Sequence, residues 1–340
     1  MKSLIFLGLI IWLLKVVNGQ VYPIITKWVK SNGTGYANAK TNVYKITYTS
    51  DYVYVSTNSI PTFSIGPWAS NPNDAKGQSF TFRLPINPSY SSTKVEVPLG
   101  HIGLWLNGVS VYNADDGMTY NNKGVWKRNA YVFEGVSFDA CKGHPDGSSE
   151  YHQHISSSCL YNNTANYHSP LIGFAFDGYP IYGPYGYSSA TDTSSAIKRL
   201  TTSYKTRSIT DRTTLSNGTV LTADLQGPTL AEYALGSYLQ DYEYSAGYGD
   251  LDEYNGRYCK TPEYPSGTYA YFVATDSSLT PVYPFVVGPY YRGVVESANF
   301  GTGSGKFTSS GTVYYEYSAA NLNIFNVFTL IIVLLATRLF

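Results

Sequence analysis

Between Val43 and Val55 apolar and polar side chains alternate, first along Val43-Tyr44-Lys45-Ile46-Thr47-Tyr48 and then along Tyr52-Val53-Tyr54-Val55, with Ser50-Asp51 between the two runs. A period of two is that of a half-buried strand, so the spacing predicts two strands joined by a turn. Similar patterns predict strands over 79–84, 94–97, 269–274 and 282–287. In two places the turn chemistry is explicit. Leu104-Trp105-Leu106-Asn107-Gly108-Val109-Ser110-Val111-Tyr112 and Phe174-Ala175-Phe176-Asp177-Gly178-Tyr179-Pro180-Ile181-Tyr182 carry Asn-Gly and Asp-Gly between apolar alternations, which is the signal of a tight hairpin. Aligned on those turns, Ile102-Gly103 matches Ile172-Gly173, Leu106 matches Phe176 and Tyr112 matches Tyr182, so an internal repeat is expected. One stretch has helical spacing: Leu235, Tyr238, Leu239 and Tyr242, following Pro228-Thr229. The polar region 188–224 reads as a surface excursion. The expected fold is mainly β, a sandwich-like domain of antiparallel hairpins with one or two short helices. Thirty-four tyrosines, thirty-one glycines and only two methionines suit strands and tight turns.

The two ends differ from the body. Lys2, an apolar run over 4–14, and the small-residue exit Val17-Asn18-Gly19 describe a signal peptide over 1–19, cut after Gly19. Residues 324–340 form a second apolar tail. Before it, 301–323 is rich in Gly and Ser, with small residues at Ser309-Ser310-Gly311 at about the 8 to 12 residues that a lipid-anchor signal places before its tail. A single membrane-spanning anchor is the other reading of the same tail. Both put the body, expected as a β domain over 20–300, outside the cell, secreted and retained at the outer surface, with the membrane touched only through the C-terminal tail. Formal net charge is zero and no basic cluster exceeds two residues, which excludes nucleic acid as a partner.

Sequons at Asn32, Asn162 and Asn217 fit an exported glycoprotein. Cysteine is scarce. In an oxidising compartment the near pair Cys141 and Cys159 is expected to close a disulfide worth ~3 kcal/mol. Cys259 is then left over, either buried and inert or paired with another chain.

The chemistry concentrates around that loop. Of five histidines, His101, His144, His152, His154 and His168, four lie between the two cysteines or just beyond. On an extended segment His152 and His154 share a face while Gln153 takes the other. With His144 brought back through Pro145-Asp146-Gly147, the set can converge on a divalent metal of the kind imidazole suits, zinc or copper first, with Asp139 or Asp177 in support. The bland alternative is a hydrogen-bonded polar network beneath a disulfide loop. The acidic run Asp250-Leu251-Asp252-Glu253 lacks the spacing of a calcium loop and reads as a loop capped by its own side chains. No Gly-x-Ser-x-Gly elbow is present, and the residues assign no reaction.

The run Phe138-Asp139-Ala140-Cys141-Lys142-Gly143-His144-Pro145-Asp146-Gly147, followed by Tyr151-His152-Gln153-His154 and Cys159-Leu160, resembles the YHYH domain family, named for a Tyr-His-Tyr-His motif. Ser59-Ile60-Pro61, Gly66-Pro67-Trp68, the second hairpin through Gly183, and 249–257 with 261–272 extend the resemblance over about 44–293. Gln153 departs from the motif, standing where its second Tyr would be. The resemblance implies a shared fold and motif but brings no settled reaction. Two function classes follow: an extracellular surface protein with a histidine-rich metal site, or a non-catalytic module that binds glycans or a cell-surface protein while its histidines are structural.

Overall fold

The computed structural model describes residues 22–301 and 303–317. The expected signal peptide and the apolar tail lie outside the described residues. The alternating segments form a four-stranded antiparallel sheet from β1 (Val43–Tyr48), β2 (Tyr52–Thr57), β3 (Phe80–Pro85) and β20 (Thr312–Glu316), in the order β20-β1-β2-β3. A larger sheet of eight strands takes β5 (His101–Trp105), β6 (Ser110–Tyr112), β9 (His144–Pro145), β10 (Tyr151–Gln153), β11 (Leu171–Ala175), β12 (Pro180–Tyr182), β17 (Gly256–Cys259) and β18 (Thr268–Phe272). Four two-stranded ribbons complete the β structure: β4 (Tyr90–Glu96) with β19 (Tyr290–Gly293), β7 (Asp115–Thr119) with β8 (Lys127–Asn129), β13 (Tyr185–Tyr187) with β14 (Ile197–Arg199), and β15 (Tyr204–Thr206) with β16 (Tyr242–Tyr244). The α-helices among the described residues are single turns, α1 (Pro23–Thr26) and α2 (Ala130–Phe133). Among the described residues the chain is thus mainly β with two short helices, as the patterning predicts.

The two sheets meet through aromatic side chains. Phe82 of β3 stacks on Phe176 at 5.1 Å between centroids and meets the edge of His101 at 5.1 Å. Val53, Val55, Phe82, Leu84, Leu104, Trp105, Phe174 and Phe176 are all fully buried. Removing that much aromatic and aliphatic surface from water is the main drive for the fold, at roughly 1.5–3 kcal/mol per side chain.

The eight strands run β17-β18-β12-β11-β5-β6-β10-β9 and read the same from either edge. At the centre β5 and β11 are antiparallel with Leu104 opposite Phe174, the two positions that the hairpin alignment makes equivalent. On each side the outer hairpin strand pairs in parallel, Val111 with Gln153 and Ile181 with Tyr271, and the next strand pairs antiparallel. The repeat in the sequence is therefore a pseudo-twofold in the sheet. Its seam demands glycine: a Cβ on Gly103 would lie 2.7 Å from the Phe174 carbonyl oxygen, and one on Gly173 2.5 Å from that of Leu104. Each hairpin closes by a three-residue loop, with Gly108 N donating to Trp105 O and Gly178 N to Ala175 O, and with the glycine at positive φ.

Four sequence expectations are changed by identifiable interactions. The helix expected at Leu235 to Tyr242 is a turn followed by a 3-10 turn, Leu239–Asp241. Gly236 has φ of 98°, and Asp241 accepts from the N–H groups of Gly236 and Tyr238. The strand expected at 282–287 is irregular, since Pro284 has no N–H to give to a ladder. The polar excursion at 188–224 contributes β14 and β15 and buries Arg212, which reaches Asp241 and four backbone carbonyls. The expected stalk at 301–323 is partly built into the body, because β20 pairs with β1 and Ser304 bonds His101.

Candidate metal centre

The segment that follows β8 positions one wall of the site. Asn129 caps α2 by accepting from Tyr131 N, and the turn ends at Glu134, which leads into the 3-10 turn Gly135–Ser137. Asp139 then organises the loop: Oδ1 accepts from Cys141 N, Gly143 N and the Tyr151 hydroxyl, and Oδ2 from Gly66 N. Cys141 and Cys159 form a disulfide with Cα atoms 5.5 Å apart, closing the loop over β9 and β10. Cys259 is free and buried.

His144 and His152 sit directly opposite each other on β9 and β10, and His154 lies two residues past His152 on the same face. Their Nε2 atoms converge: His144 to His152 is 3.1 Å and His152 to His154 is 3.2 Å. All three are buried, and their ligand atoms lie within 4.8 Å of one another, so they could hold a metal ion. Gln153 points the other way and donates to the Cys141 carbonyl, which ties the strand to the disulfide loop.

The far side of each ring fixes its tautomer. His152 Nδ1 donates to Glu150 O and His154 Nδ1 to Asn113 O, because a carbonyl only accepts. Ser137 gives its proton to Glu134 O, so its oxygen accepts from His144 Nδ1. Each neutral ring therefore turns a bare Nε2 lone pair inward. Burial drives His152 well below its ordinary range and brings His144 down to about 4, with the neighbouring His154 adding to both effects. The His152 lone pair meets those of His144 and His154 at 3.1 and 3.2 Å with no proton between them to bond, an arrangement a cation relieves. Imidazole held by a hydrogen bond at its other nitrogen is the usual form of a metal ligand.

Beyond the rings lies an open pocket of about 390 Å³, lined by the three histidines, Tyr112, Asp115, Asp116 and Glu134 among others. Tyr112 lies against His152 and donates toward Glu150 and Asp146. Glu150 in turn holds His101, whose Nε2 is 2.8 Å from both carboxylate oxygens.

Of the expected residues, the structure brings together His144, His152 and His154 and leaves two out. Asp139 spends both oxygens on backbone N–H groups and Tyr151. Asp177 sits under the second hairpin turn, accepting from the Tyr271 hydroxyl at 2.6 Å and from Gly293 N at 2.9 Å. Neither belongs to the ligand group. His168 packs at the other half of the large sheet, against Tyr182 and Phe272. The sequence reading passed over Glu134, whose Oε2 is 3.1 Å from His154 Nε2 and 3.7 Å from His144 Nε2. The available signal was the cap residue Asn129, six positions before Gly135, which starts the turn that ends at Glu134. Burial alone would raise the Glu134 carboxyl, and in the metal-free chain only a proton carried by His154 or His144 beside it would hold it below its ordinary value.

A mainly β fold that gathers three imidazoles beneath a disulfide loop thus defines the class. The signature described as "YHYH protein" matches residues 81–284, and the chain belongs to that family. No curated protein and no solved structure shows significant similarity to the chain.

Proposed function

We propose that this chain is an exported surface protein whose YHYH motif forms a divalent-metal centre. The observation that carries the reading is the convergence of three Nε2 lone pairs with every Nδ1 already spent as a donor. A donor set of imidazoles suits zinc or copper. When bound, such an ion would act as a Lewis acid on an oxygen ligand that enters from the pocket in addition to its protein donors, by expansion to five-coordination. The chain's own part is to keep the rings neutral and oriented through Ser137, Glu150 O and Asn113 O, and to leave a path to solvent. Export is supported by the disulfide, which belongs to oxidising compartments, and by Asn32, Asn162 and Asn217 all being exposed for glycan attachment. The N-terminal signal and the lipid or membrane anchor are proposed from sequence alone. Elemental analysis of the secreted chain beside a His152→Ala/His154→Ala variant tests the centre. About one equivalent of zinc or copper in the first and little in the second is expected, and equal, near-zero contents would overturn it.

A second reading, a glycan-binding module, has its own observation. A groove of about 380 Å³ lined by Tyr204, Tyr242, Tyr244, Tyr283 and Tyr290 shares Asp115 with the histidine pocket. Its carboxylates are matched by lysines, Glu96 with Lys127, Glu243 with Lys205 and Glu253 with Lys94. Aromatic faces with neutralised polar groups suit an uncharged polyhydroxylated chain better than an ion. Glycan-array binding that persists in the double histidine variant would favour this reading.

A further inference from the structure

Glu134 is the residue at the centre that no motif accounts for. Its Oε2 is buried without a hydrogen-bond partner, while the side chain as a whole, part of the pocket lining, keeps 28 % exposure against 6 and 3 % for His144 and His154. An anionic oxygen left orphaned in a buried position carries a large desolvation cost unless something positive meets it. What it faces is two more acceptors, since Nε2 of His154 and of His144 are lone pairs by the tautomers fixed at Asn113 O and Ser137 Oγ.

We propose that Glu134 Oε2 is the fourth protein ligand of a tetrahedral divalent-metal centre with Nε2 of His144, His152 and His154. The inference rests on the metal reading above and adds the ligand count, the geometry and the charge. Metal–ligand bonds of ~2.0–2.1 Å arranged tetrahedrally put neighbouring donor atoms ~3.3–3.4 Å apart. Four of the six donor pairs are spaced at 3.1 Å for His144 with His152, 3.2 Å for His152 with His154, 3.1 Å for Glu134 with His154 and 3.7 Å for Glu134 with His144, and the three imidazole donors all lie within 4.8 Å of one another. One carboxylate among three neutral imidazoles leaves a divalent ion with one net positive charge, and Glu134 is the ligand that faces the pocket. The backbone supports the placement: Glu134 N donates to Ala130 O at the close of α2, and Glu134 O accepts from Ser137, the residue that also orients His144. One short turn therefore delivers a ligand and the hydrogen-bond partner of another.

The competing arrangement is a plain ion pair, with His154 protonated against Glu134 and no share of the metal for the carboxylate. The two separate in metal titrations of the full secreted chain, its Glu134→Gln variant and the charge-keeping Glu134→Asp variant. Zn²⁺ affinity is read by competition with a chromophoric chelator and geometry by the visible spectrum of the Co²⁺ form. The expected order is wild type, then Glu134→Asp, then Glu134→Gln. The last should lose at least the roughly 10–100-fold that removing even an outer partner of a ligand costs. Its Co²⁺ bands should also change from the strong four-coordinate pattern of the wild type. Unchanged affinity and spectrum in Glu134→Gln would overturn the fourth ligand while leaving the three histidines in place. A wild type that takes up neither ion would overturn the centre itself. Should Glu134→Gln fail to fold, Glu134→Asp decides, because a carboxylate withdrawn by one methylene must still alter the Co²⁺ spectrum if it is a ligand.

Discussion

Tyr112 lies flat on His152, with ring centroids 3.8 Å apart and planes 19° from parallel. The contact fixes the one imidazole that touches both of the others, and the Tyr112 hydroxyl anchors the stack by reaching Glu150 at 3.1 Å and Asp146 at 3.2 Å. Ring and hydroxyl are separable. Tyr112→Phe keeps the face against His152 and should hold metal affinity within about threefold, whereas Tyr112→Ala frees the ring and should weaken binding by roughly 10–100-fold. Competition titration of both variants checks this, and equal losses would show that the hydroxyl, not the face, is what matters.

Gly143 precedes His144 in a place where a side chain has no room. An added Cβ would lie 2.4 Å from the Tyr151 hydroxyl and 2.8 Å from the His152 carbonyl oxygen, and Tyr151 is fully buried and bonded to Asp139. Gly143→Ala should cost about 1–3 kcal/mol by overpacking and should pull His144 away from its partners. Chemical denaturation reports the first effect and Zn²⁺ titration the second.

Arg212 and Asp241 form a fully buried bidentate pair, 2.7 and 2.8 Å apart, with the remaining guanidinium hydrogens on backbone carbonyls. Arg212→Met leaves the carboxylate without its partner and should lose ~3–5 kcal/mol. The double variant Arg212→Met/Asp241→Leu should recover part of that. Urea midpoints of the two variants give the comparison.

Burial pushes Asp177 up to about 6, against the donors Tyr271, Gly293 and Tyr179 that pull it back. A raised carboxyl contributes stability that is complete below its ordinary value near 4 and is lost as pH rises through about 6. His144 works in the opposite sense: its depressed value contributes stability present above about 6.5 and lost as pH falls toward 4. In metal-free protein the difference in unfolding free energy between wild type and Asp177→Asn should therefore shift by about 2 kcal/mol between pH 4 and 7, while the histidine contribution cancels in the subtraction. A flat difference curve would show that Asp177 does not titrate in this window.

Much of this was readable from spacing. Alternation located β1, β2 and β3, Asn-Gly and Asp-Gly located the paired hairpins, and His152-Gln153-His154 announced its shared face because a strand alternates. Long-range partners were not readable. Leu235, Tyr238, Leu239 and Tyr242 have helical spacing, but Asp241 is taken by Arg212 from far upstream, and Gly236 breaks the turn. Asp139 and Asp177 are acidic residues near the motif whose oxygens backbone N–H groups claim, while Glu134 reaches the centre from a helix too short to leave a periodicity. Only the folded chain distinguishes a carboxylate that builds a loop from one left facing three imidazoles.

The large sheet reads alike from both edges, yet only one half gathers three imidazoles. By the strand register, Ala270 and Phe272 occupy the positions of His152 and His154, and Arg257 that of His144. Such a scaffold offers two berths and uses one, so the remote half is an internal control supplied by the chain itself. Histidines installed at 257, 270 and 272 would ask whether strand geometry alone suffices to capture an ion, or whether the disulfide-bound loop is indispensable.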